Sequence, residues 1–456
     1  MTLWESLFRE NGRPAGALET AERTVSCATL ASASCLAGKL DALRGRNVVV
    51  GVQSQLTAGL LLIELDGIAR RMVICPPGTA REHLSYVLQT SECDVWIGDG
   101  DPSLEPAGKL LRLEASELPI PCAVKRERQL DSEWVLLTSG TTGVPKLVRH
   151  TLSSLLNFID AAGPRTTWST FYDIRRYGGL QIFLRALLGG SLVLSSPNES
   201  TEAFIERAAA HHVSHISGTP SHWRKALMSG AADRFAPAYV RLSGEIADQG
   251  ILDGLRAAFP SALVAHAFAS TEAGVAFEVE DGLSGFPDTL VGERRHGVEL
   301  DVSGGTLRIR SPGNALGYLG DVPALRDSDG FVNTGDRLDL RDGRYHFMGR
   351  TGGVINVGGL KVHPEEVEAV INAHPAVRVS LVKARRNPIT GAVVTADVVL
   401  ETQVSGAADP AREQIVRQEI LVACRASLAA HKVPALIHFV PSLAVSPSGK
   451  LVRPNA

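Results

Sequence analysis

The sequence predicts an α/β fold divided into at least two domains, and three observations lead to this prediction. The chain has 456 residues, which is too long for one ordinary compact core. Short apolar segments of strand length alternate with segments of helical periodicity, a pattern typical of a largely parallel sheet. Between residues 290 and 350 the segments become shorter and are separated by DG and GG turns, which indicates antiparallel hairpins.

The individual elements follow in chain order. The β-branched run at residues 47–52 predicts a buried strand. We then expect a strand at 71–75, a helix at 81–88, a strand at 94–97, and further alternation through 184–194, 204–216 and 252–264. The hairpin region contains predicted strands at 306–310, 337–340 and 345–348. Beyond it we predict a helix at 364–373, strands near 379–382 and 393–400, a helix over about 411–430 and a mostly extended tail. We place a domain boundary at residues 349–353.

Composition excludes several classes of protein. Hydrophobic residues make up 44% and charged residues 21% of the chain, which excludes disorder, collagen and coiled coil for most of it. The net charge of −3 gives no reason to expect a nucleic-acid partner. The N-terminus lacks a basic start followed by an apolar core, and the apolar run at 59–64 is far shorter than the ~20 residues that span a bilayer. We therefore expect a cytoplasmic protein with no membrane partner.

The six cysteines are scattered and include no CxxC pair. A zinc site or a disulfide framework is therefore not expected. We predict buried free thiols.

The most informative motif follows the apolar run at residues 135–137. Its predicted phosphate-binding residues are Thr138, Ser139, Gly140, Thr141, Thr142, Gly143 and Lys146. The hydroxyls can donate to phosphate oxygens, the glycines let backbone N–H groups approach closely, and the lysine adds positive charge. A Walker A loop has glycine directly before its lysine, whereas Pro145 stands there. On these residues alone, a flexible surface loop remains the alternative.

This motif, TSGTTGVPK, resembles the phosphate loop of the adenylate-forming superfamily, which includes acyl- and aryl-CoA synthetases, nonribosomal-peptide adenylation domains and luciferases. Four later segments resemble motifs of that superfamily in the same order: HAFASTE at 266–272, NTGD at 333–336, GR at 349–350 followed by GGLKVHPEEVE, and PSGK at 447–450. The resemblance implies a large N-terminal domain of layered sheets and helices, residues 1–350. A small mobile α+β C-terminal domain, residues 351–456, would follow.

The resemblance also implies an activity. Such enzymes use ATP and Mg²⁺ to activate a carboxylic acid as an acyl adenylate with release of pyrophosphate. They then transfer the acyl group to the thiol of CoA or of a phosphopantetheinyl carrier protein. Alternatives that the sequence leaves open are a stand-alone adenylation enzyme that loads a carrier protein and a nucleotide-binding homologue without catalysis.

The family's nucleotide-binding roles fall on several positions. Phe268 would stack on adenine, beside the turn formed by Gly244, Glu245 and Ile246. Thr271 would contact the α-phosphate and Glu272 would hold Mg²⁺. The alternative for the 244–246 segment is a plain strand-to-helix turn, and the alternative for Glu272 is a solvated carboxylate.

Two further residues would bind the ribose, and one would act in catalysis. Asp336 would accept hydrogen bonds from both ribose hydroxyls, and Arg350 would also reach the ribose. For Asp336 the alternative is a turn residue before a strand. Lys450 would bridge the carboxylate and the α-phosphate and stabilise charge in the transition state. The predicted catalytic residues are Lys146, Thr271, Glu272 and Lys450. The presence of Lys450, Glu272 and Asp336 argues against a non-catalytic homologue.

The C-terminal part departs from the family at its hinge. Relatives usually carry Asp or Lys two residues after the arginine, where this chain has Gly352; glycine still permits large backbone rotation. Gly358 and Gly359 resemble the loop that lies against pantetheine in CoA ligases. A simple strand-to-strand turn is the alternative for that loop.

The acid-binding region is the part that least resembles any single branch. The candidate substrate-binding residues are Asp173, Arg176, Tyr177, Gly178 and Ala269. Arg176 stands roughly where many relatives have a histidine, and Asp173 resembles an ammonium-binding aspartate of amino-acid-activating domains. Asp173 can equally pair with Arg175 or Arg176. Because Ala269 replaces a glycine and narrows the pocket, we favour a short acyl or aryl acid. The oligomeric state stays open, with a homodimer as one option.

Overall fold

The computed structural model of the chain describes residues 2–8, 16–100, 110–123, 130–138, 144–160, 165–197, 199–387, 391–401, 410–444 and 451. Six predicted site residues lie outside this described part: Ser139, Gly140, Thr141, Thr142, Gly143 and Lys450.

The α-helices of the described residues are α1 (Leu3–Phe8), α2 (Gln55–Leu65), α3 (Arg81–Ser91), α4 (Leu152–Leu156), α5 (Tyr177–Gly189), α6 (Thr201–Ala210), α7 (Pro220–Met228), α8 (Gln249–Ala258), α9 (Pro364–Asn372) and α10 (Pro410–Ser427). Several begin at a residue whose side chain accepts a backbone N–H of the first turn: Ser54, Thr151, Ser200, Thr219 and Asp248. These caps satisfy donors that a helix end leaves unpaired.

The strands of the first half are β1 (Ala17–Glu19), β2 (Thr24–Ser26), β3 (Ala33–Ser34), β4 (Asn47–Val50), β5 (Arg71–Ile74), β6 (Val95–Gly98), β7 (Leu111–Glu114), β8 (Ile120–Pro121), β9 (Glu133–Thr138), β10 (Lys146–Thr151), β11 (Thr166–Thr170), β12 (Gly190–Val193), β13 (His215–Gly218) and β14 (Tyr239–Ser243). Those of the second half are β15 (Leu263–Ser270), β16 (Gly274–Val279), β17 (Phe286–Pro287), β18 (Arg294–Arg295), β19 (Val298–Ser303), β20 (Thr306–Arg310), β21 (Gly317–Tyr318), β22 (Val332–Arg341), β23 (Arg344–Arg350), β24 (Ile355–Val357), β25 (Leu360–Val362), β26 (Val377–Asn387), β27 (Gly391–Leu400) and β28 (Leu436–Phe439).

The predicted parallel strands divide between two sheets, which agrees with the layered sheets that the family resemblance implies. Within the described residues, the first sheet has the order β16-β15-β14-β13-β11-β12-β1-β2 and the second has the order β21-β10-β9-β5-β4-β6-β7. The first sheet has a parallel interior and an antiparallel pair at each end. The second is parallel from β9 to β7 and antiparallel at the end formed by β21, β10 and β9. The main core joins residues of both sheets with α2 and α5. Nearly every residue of α2 is buried, as expected for a helix that is apolar all round.

The hairpin region forms an antiparallel sheet in the order β17-β23-β22-β20-β19-β18, which confirms the prediction. Asp342 and Gly343 both have positive φ, 48° and 73°, and form the tight turn between β22 and β23. β22 is longer than predicted. It includes Asp336, which therefore lies within a strand and not in a turn before one.

The C-terminal segment has its own buried cluster, which extends from Ile355 to Ile437. It combines α9 and α10 with the sheet β26-β27-β28 and the hairpin β24-β25. The helix at 364 begins as predicted, with Pro364 at its start and two glutamates in its first turn. The second helix ends at Ser427, earlier than predicted, and a short 3-10 turn follows. This separate core supports the boundary at 349–353, which stays a prediction.

The cysteines are free thiols, as predicted: Cys122 is half-buried and the other five are buried. Burial raises the pKa of Cys27 to about 12 and the pKa values of Cys93 and Cys424 to about 11. No helix in the described part of the chain is both long and apolar enough to cross a bilayer.

Candidate functional site

The candidate site lies at the carboxyl ends of the parallel strands of the first sheet, where α/β proteins commonly bind ligands. The 244–246 turn follows β14, and Gly244 adopts a φ of +84° that favours glycine. Thr271, Glu272 and Ala273 form the turn between β15 and β16. We call these three residues the 271–273 turn.

All three carbonyl oxygens of the 271–273 turn accept hydrogen bonds from distant segments. His150 Nε2 lies 2.7 Å from the Thr271 oxygen. The Ala315 N–H donates to the Glu272 oxygen at 2.9 Å, and Asn314 Nδ2 donates to the Ala273 oxygen at 2.9 Å. The backbone that carries the Thr271 and Glu272 side chains is therefore fixed. Sequence reasoning missed His150 and Asn314, which no local motif singles out.

His150 is fully buried, and this burial lowers its pKa to about 4, opposed by the bond to Thr271. The ring is therefore neutral at physiological pH. A carbonyl oxygen can only accept, so Nε2 carries the proton and donates to Thr271. The other ring nitrogen, Nδ1, lies 2.9 Å from the Ser154 hydroxyl, which donates to it.

Lys146 and Glu272 meet at the ring of Tyr318. β10 places Lys146 opposite Thr138, and it pairs on its other side with the strand that carries Tyr318. Lys146 Nζ lies 5.3 Å from the Tyr318 ring centroid, and the Tyr318 hydroxyl lies 3.5 Å from Glu272 Oε1. Burial and the nearby Glu272 raise the pKa of Tyr318 to about 12. The structure thus brings together the predicted phosphate-binding lysine and metal-binding glutamate, and adds a tyrosine that the sequence did not reveal.

Asp336 and Arg350, the two predicted ribose-binding residues, lie directly opposite each other on β22 and β23. Arg350 Nε is 3.3 Å from Asp336 Oδ1, and the arginine also donates to the Thr334 carbonyl at 2.8 Å. The arginine side chain is 67% exposed. Its guanidinium can therefore contact a ligand without first moving out of the protein interior.

Phe268 packs in a row of aromatic rings. Its ring is nearly parallel to that of Phe347, with centroids 5.5 Å apart, and lies 5.9 Å from that of Phe277. The side chain is only partly buried. Stacking of Phe268 on adenine stays a prediction.

Glu245 connects the 244–246 turn to two other parts of the chain. Its Oε2 accepts the Ser221 N–H at 2.9 Å, in the first turn of α7. Its Oε1 accepts the Leu451 N–H at 3.1 Å. Leu451 directly follows Lys450 in the sequence. Leu451 therefore contacts the turn predicted to bind adenine. The Ile246 side chain of that turn is exposed.

A family model for AMP-binding enzymes matches residues 33–319, and a model for the AMP-binding enzyme C-terminal domain matches residues 366–450. The chain belongs to the AMP-binding enzyme family.

Three curated relatives illustrate the range of activities for which proteins similar to this chain are named. The chain is 27% identical over 353 residues to an isonitrile lipopeptide synthase of Streptomyces coeruleorubidus, covering 71% of this chain and 23% of that protein. It is 28% identical over 338 residues to the p-hydroxybenzoic acid–AMP ligase FadD22 of Mycobacterium tuberculosis, covering 69% and 47%. It is 26% identical over 423 residues to a 2-succinylbenzoate–CoA ligase of Bacillus velezensis, covering 86% and 78%.

The chain thus spans less than half the length of the first two of these relatives.

Solved structures confirm the fold of the AMP-binding enzyme family over nearly the whole chain. The amide bond synthetase McbA of Marinactinospora thermotolerans superposes with a TM-score of 0.77 at 20% identity, covering 98% of this chain and 97% of that one. An anthranilate CoA ligase, AuaEII, in complex with anthranoyl-AMP also gives 0.77 at 18% identity, covering 99% and 95%.

In this member of the AMP-binding enzyme family, Asp173 forms the internal ion pair that the sequence left open. Arg175 donates to both carboxylate oxygens of Asp173, at 2.8 and 2.7 Å. The same arginine donates to the carbonyls of Val52 and Gln53. The geometry favours a structural role for Asp173 over ammonium binding.

Three of the other candidate acid-binding residues lie at the start of α5, and Ala269 lies on β15. Burial lowers the pKa of Arg176, the residue before the helix. Tyr177 is buried, and Gly178 lies against the Tyr172 ring, which a Cβ at that position would meet at 3.5 Å. Ala269 packs against the main core.

The glycines of the C-terminal segment differ in whether the backbone requires glycine at their positions. Gly358 and Gly359 have φ values of +59° and +87° and form the turn between β24 and β25. Locally this is the simple strand-to-strand turn, and a role beside the thiol stays a prediction. Gly352 has a negative φ, and among the described residues no atom beyond its chain neighbours lies within 4 Å of where its Cβ would be. Neither crowding nor backbone conformation requires glycine there.

The described residues contain no group of three or more His, Cys, Asp or Glu arranged to hold a metal ion. Mg²⁺ is commonly bound by one or two carboxylates together with substrate phosphates and water, so it does not require such a group. Among the described residues, the Glu272 carboxylate has a long contact to Tyr318, and this carboxylate is a suitable single ligand.

Proposed function

We propose that this chain uses ATP to activate a carboxylic acid as an acyl adenylate, with release of pyrophosphate, and then transfers the acyl group to the thiol of CoA. The observation that carries this proposal is the meeting of Lys146 and Glu272 at Tyr318 beside the fixed 271–273 turn. Joining a carboxylate to a triphosphate crowds anions together. Such a step needs positive charge and donors that are oriented in advance.

Each part of ATP has residues suited to it. Lys146 and the 138–143 segment would bind the outer phosphates, and Thr271 would donate to the α-phosphate. Asp336 and Arg350 offer an acceptor and a donor side by side for the ribose. Mg²⁺ on Glu272 would neutralise charge on the phosphates.

The lysine of the C-terminal segment would complete the site. Lys450 would stabilise the charge that develops between the attacking carboxylate and the α-phosphate. The bond from Leu451 to Glu245 supports this role, because it attaches the neighbouring residue to the 244–246 turn.

CoA is the acceptor that we favour, and an aryl or short acyl acid is the favoured substrate. Relatives named for CoA ligation include the 2-succinylbenzoate ligase described above and an anthranilate–CoA ligase of Pseudomonas aeruginosa. A carrier protein is the second candidate. It is supported by a relative in Mycobacterium marinum named for ligation of a fatty acid to an acyl carrier protein.

Acid-dependent ATP–pyrophosphate exchange with a panel of aryl, short acyl and amino acids tests adenylation. We expect exchange with at least one acid. Lys450→Ala should abolish it while leaving ATP binding largely intact. Lys39→Ala serves as the matched control, because it removes an exposed lysine that is distant from Lys450 in the sequence. This variant should leave the exchange activity unchanged.

Two outcomes would contradict the proposal. Absence of exchange with every acid, despite measurable ATP binding, would indicate a nucleotide-binding protein without this chemistry. Thioester formation on a phosphopantetheinyl carrier protein but not on CoA would replace the proposed acceptor.

A further inference from the structure

A buried cluster of charged side chains lies between α5 and the first sheet. It contains Arg241 on β14, Glu278 on β16 and Arg185 on α5. The Arg241 side chain is 4% exposed and that of Glu278 is 13% exposed. Charged groups are rarely buried to this degree unless they are paired and hydrogen-bonded.

Arg241 is poorly satisfied for so buried a guanidinium. Its Nε lies 3.3 Å from Glu278 Oε1, yet neither atom has a hydrogen-bond partner among the described residues. Its Nη1 reaches the Ser243 hydroxyl only at 3.5 Å. A guanidinium carries five N–H donors in a fixed plane, so most of the hydrogen-bonding capacity of Arg241 is not used by these contacts.

Arg175 shows how the same chain buries an arginine for structure. Its side chain is also 4% exposed. It makes short bonds from Nε and Nη2 to Asp173 and from Nη1 to two carbonyls, all between 2.6 and 2.8 Å. The contrast with Arg241 indicates that Arg241 is arranged for a group that the described residues do not supply.

The charges within the cluster do not balance. Arg185 lies with its guanidinium 5.7 Å from the Trp168 ring centroid and donates to the Phe158 carbonyl at 3.0 Å. The carboxylates that interact electrostatically with Arg185 are those of Glu278 and the exposed Asp160. The buried guanidinium of Arg241 and the half-buried guanidinium of Arg185 therefore share one largely buried carboxylate. An added anion would offset the excess positive charge.

The cluster adjoins the segment predicted to bind the acid. The Tyr172 hydroxyl donates to the Ser243 carbonyl at 2.7 Å, on the strand that carries Arg241. Ser243, Ala267 and Glu278 lie in register across neighbouring strands, so they share a face of the sheet. Arg241, two residues before Ser243, lies on that same face, in the middle of the strand that leads into the 244–246 turn.

We propose that Arg241, with Arg185, binds a second carboxylate of the acid, so that the substrate is a compact dicarboxylic acid. This inference rests on the proposed adenylation activity and adds the chemical class of its substrate. A carboxylate suits the planar donor fork of arginine and supplies the missing negative charge. A matched monocarboxylic acid would leave the buried donors unpaired, so the site should reject it.

The test compares acids in matched pairs by ATP–pyrophosphate exchange: glutarate with pentanoate, adipate with hexanoate, and terephthalate with 4-methylbenzoate. At least one diacid should exceed its monoacid partner by about a hundredfold or more in kcat/KM. Arg241→Met should lower that diacid's kcat/KM by about a hundredfold and change the monoacid's by less than threefold. Arg241→Lys should retain part of the preference, because it keeps the charge.

Three controls keep the result interpretable. The double variant Arg241→Met with Glu278→Gln removes both charges, and should therefore fold even where the single variant does not. Arg294→Met removes an exposed arginine and should leave every rate unchanged. Calorimetric binding of the same diacids to the complete protein provides a readout that does not depend on catalysis.

The outcomes separate this inference from the proposed function. Monoacids that exchange as well as their diacid partners would overturn the inference and leave adenylation standing. An equal loss for both acids in a folded Arg241→Met variant would also overturn it, since the cluster would then be structural. If no acid supports exchange, the proposed function fails. In that case, diacid binding that Arg241→Met weakens would still support the carboxylate site. The absence of any diacid binding would refute the carboxylate site.

Discussion

His150→Phe removes the hydrogen bonds of a buried histidine and keeps a ring of similar shape. The variant loses the donation from Nε2 to the Thr271 carbonyl and the contact of Nδ1 with the Ser154 hydroxyl. At pH 7 it should be less stable than the wild type by about 1–3 kcal/mol, the usual cost of leaving a buried polar partner unsatisfied. Because the 271–273 turn loses one of its three outside donors, exchange activity should fall by about 10- to 100-fold.

The pH dependence isolates His150 from other effects. Its pKa is lowered from 6.5 to about 4 in the folded protein, so the unfolded chain binds a proton that the folded chain does not between those values. The stabilising contribution of the neutral ring is complete above pH 6.5 and is lost as the pH falls toward 4. The shift corresponds to about 3 kcal/mol. The stability advantage of the wild type over His150→Phe should therefore shrink by about this amount from pH 7 to pH 4.

Urea denaturation at half-unit steps between pH 7 and pH 4 measures this difference. His222, whose pKa burial also lowers to about 4, is present in both proteins, so its contribution cancels in the difference. His296→Asn serves as the control, because His296 is exposed and has a positive φ that asparagine tolerates. That variant should follow the wild type at every pH. A wild-type advantage over His150→Phe that stays constant across the range would refute the assignment of a buried neutral His150.

Three further substitutions test other parts of the site. Gly274→Ala should cost at least about 2 kcal/mol and lower exchange, because its φ is +76° and a Cβ would lie 2.5 Å from the Gly313 oxygen. Gly292→Ala, with φ +84° and open space around it, should cost only about 1 kcal/mol in the same urea titration. If both variants lose the same stability, the contact with the Gly313 oxygen is not the cause. Asp336→Asn should raise the KM for ATP by about 10- to 100-fold with little change in stability, and an unchanged KM would remove it from the ribose site. Glu245→Gln can keep only one of two accepted bonds, so adenylation should slow about tenfold while calorimetric ATP affinity changes little; an unaltered rate would show that the bond to the chain end is dispensable.

The elements that the sequence predicted well have a periodicity or a motif of their own. The strands at 47–50 and 71–74 and the helix beginning at Pro364 have a local composition that determines them. The family resemblance implied layered sheets, but the local pattern did not assign each strand to its sheet. Strand order depends on which strands pair, and local polarity does not reveal that.

The same limit explains which site residues were missed. Lys146, Glu272 and Asp336 belong to motifs and could be named from the sequence. His150 acts on a residue 121 positions away, and Tyr318 contacts Glu272 from a two-residue strand. Arg241 resembles any strand arginine until burial and missing partners distinguish it. Such supporting groups are determined by tertiary packing, which a single sequence does not display.

The buried thiols have a practical consequence for following motion in solution. A thiol must ionise to react with a maleimide label, and burial both raises its pKa and blocks access. Cys122 is the one of the six that is partly exposed, so Cys122→Ser should give a protein that labels very slowly. Reporter cysteines at Leu283 and Val422, two exposed positions on either side of the proposed hinge, would then accept a donor and an acceptor dye. Energy transfer between the dyes would show whether the C-terminal segment turns when CoA follows ATP and acid into the reaction.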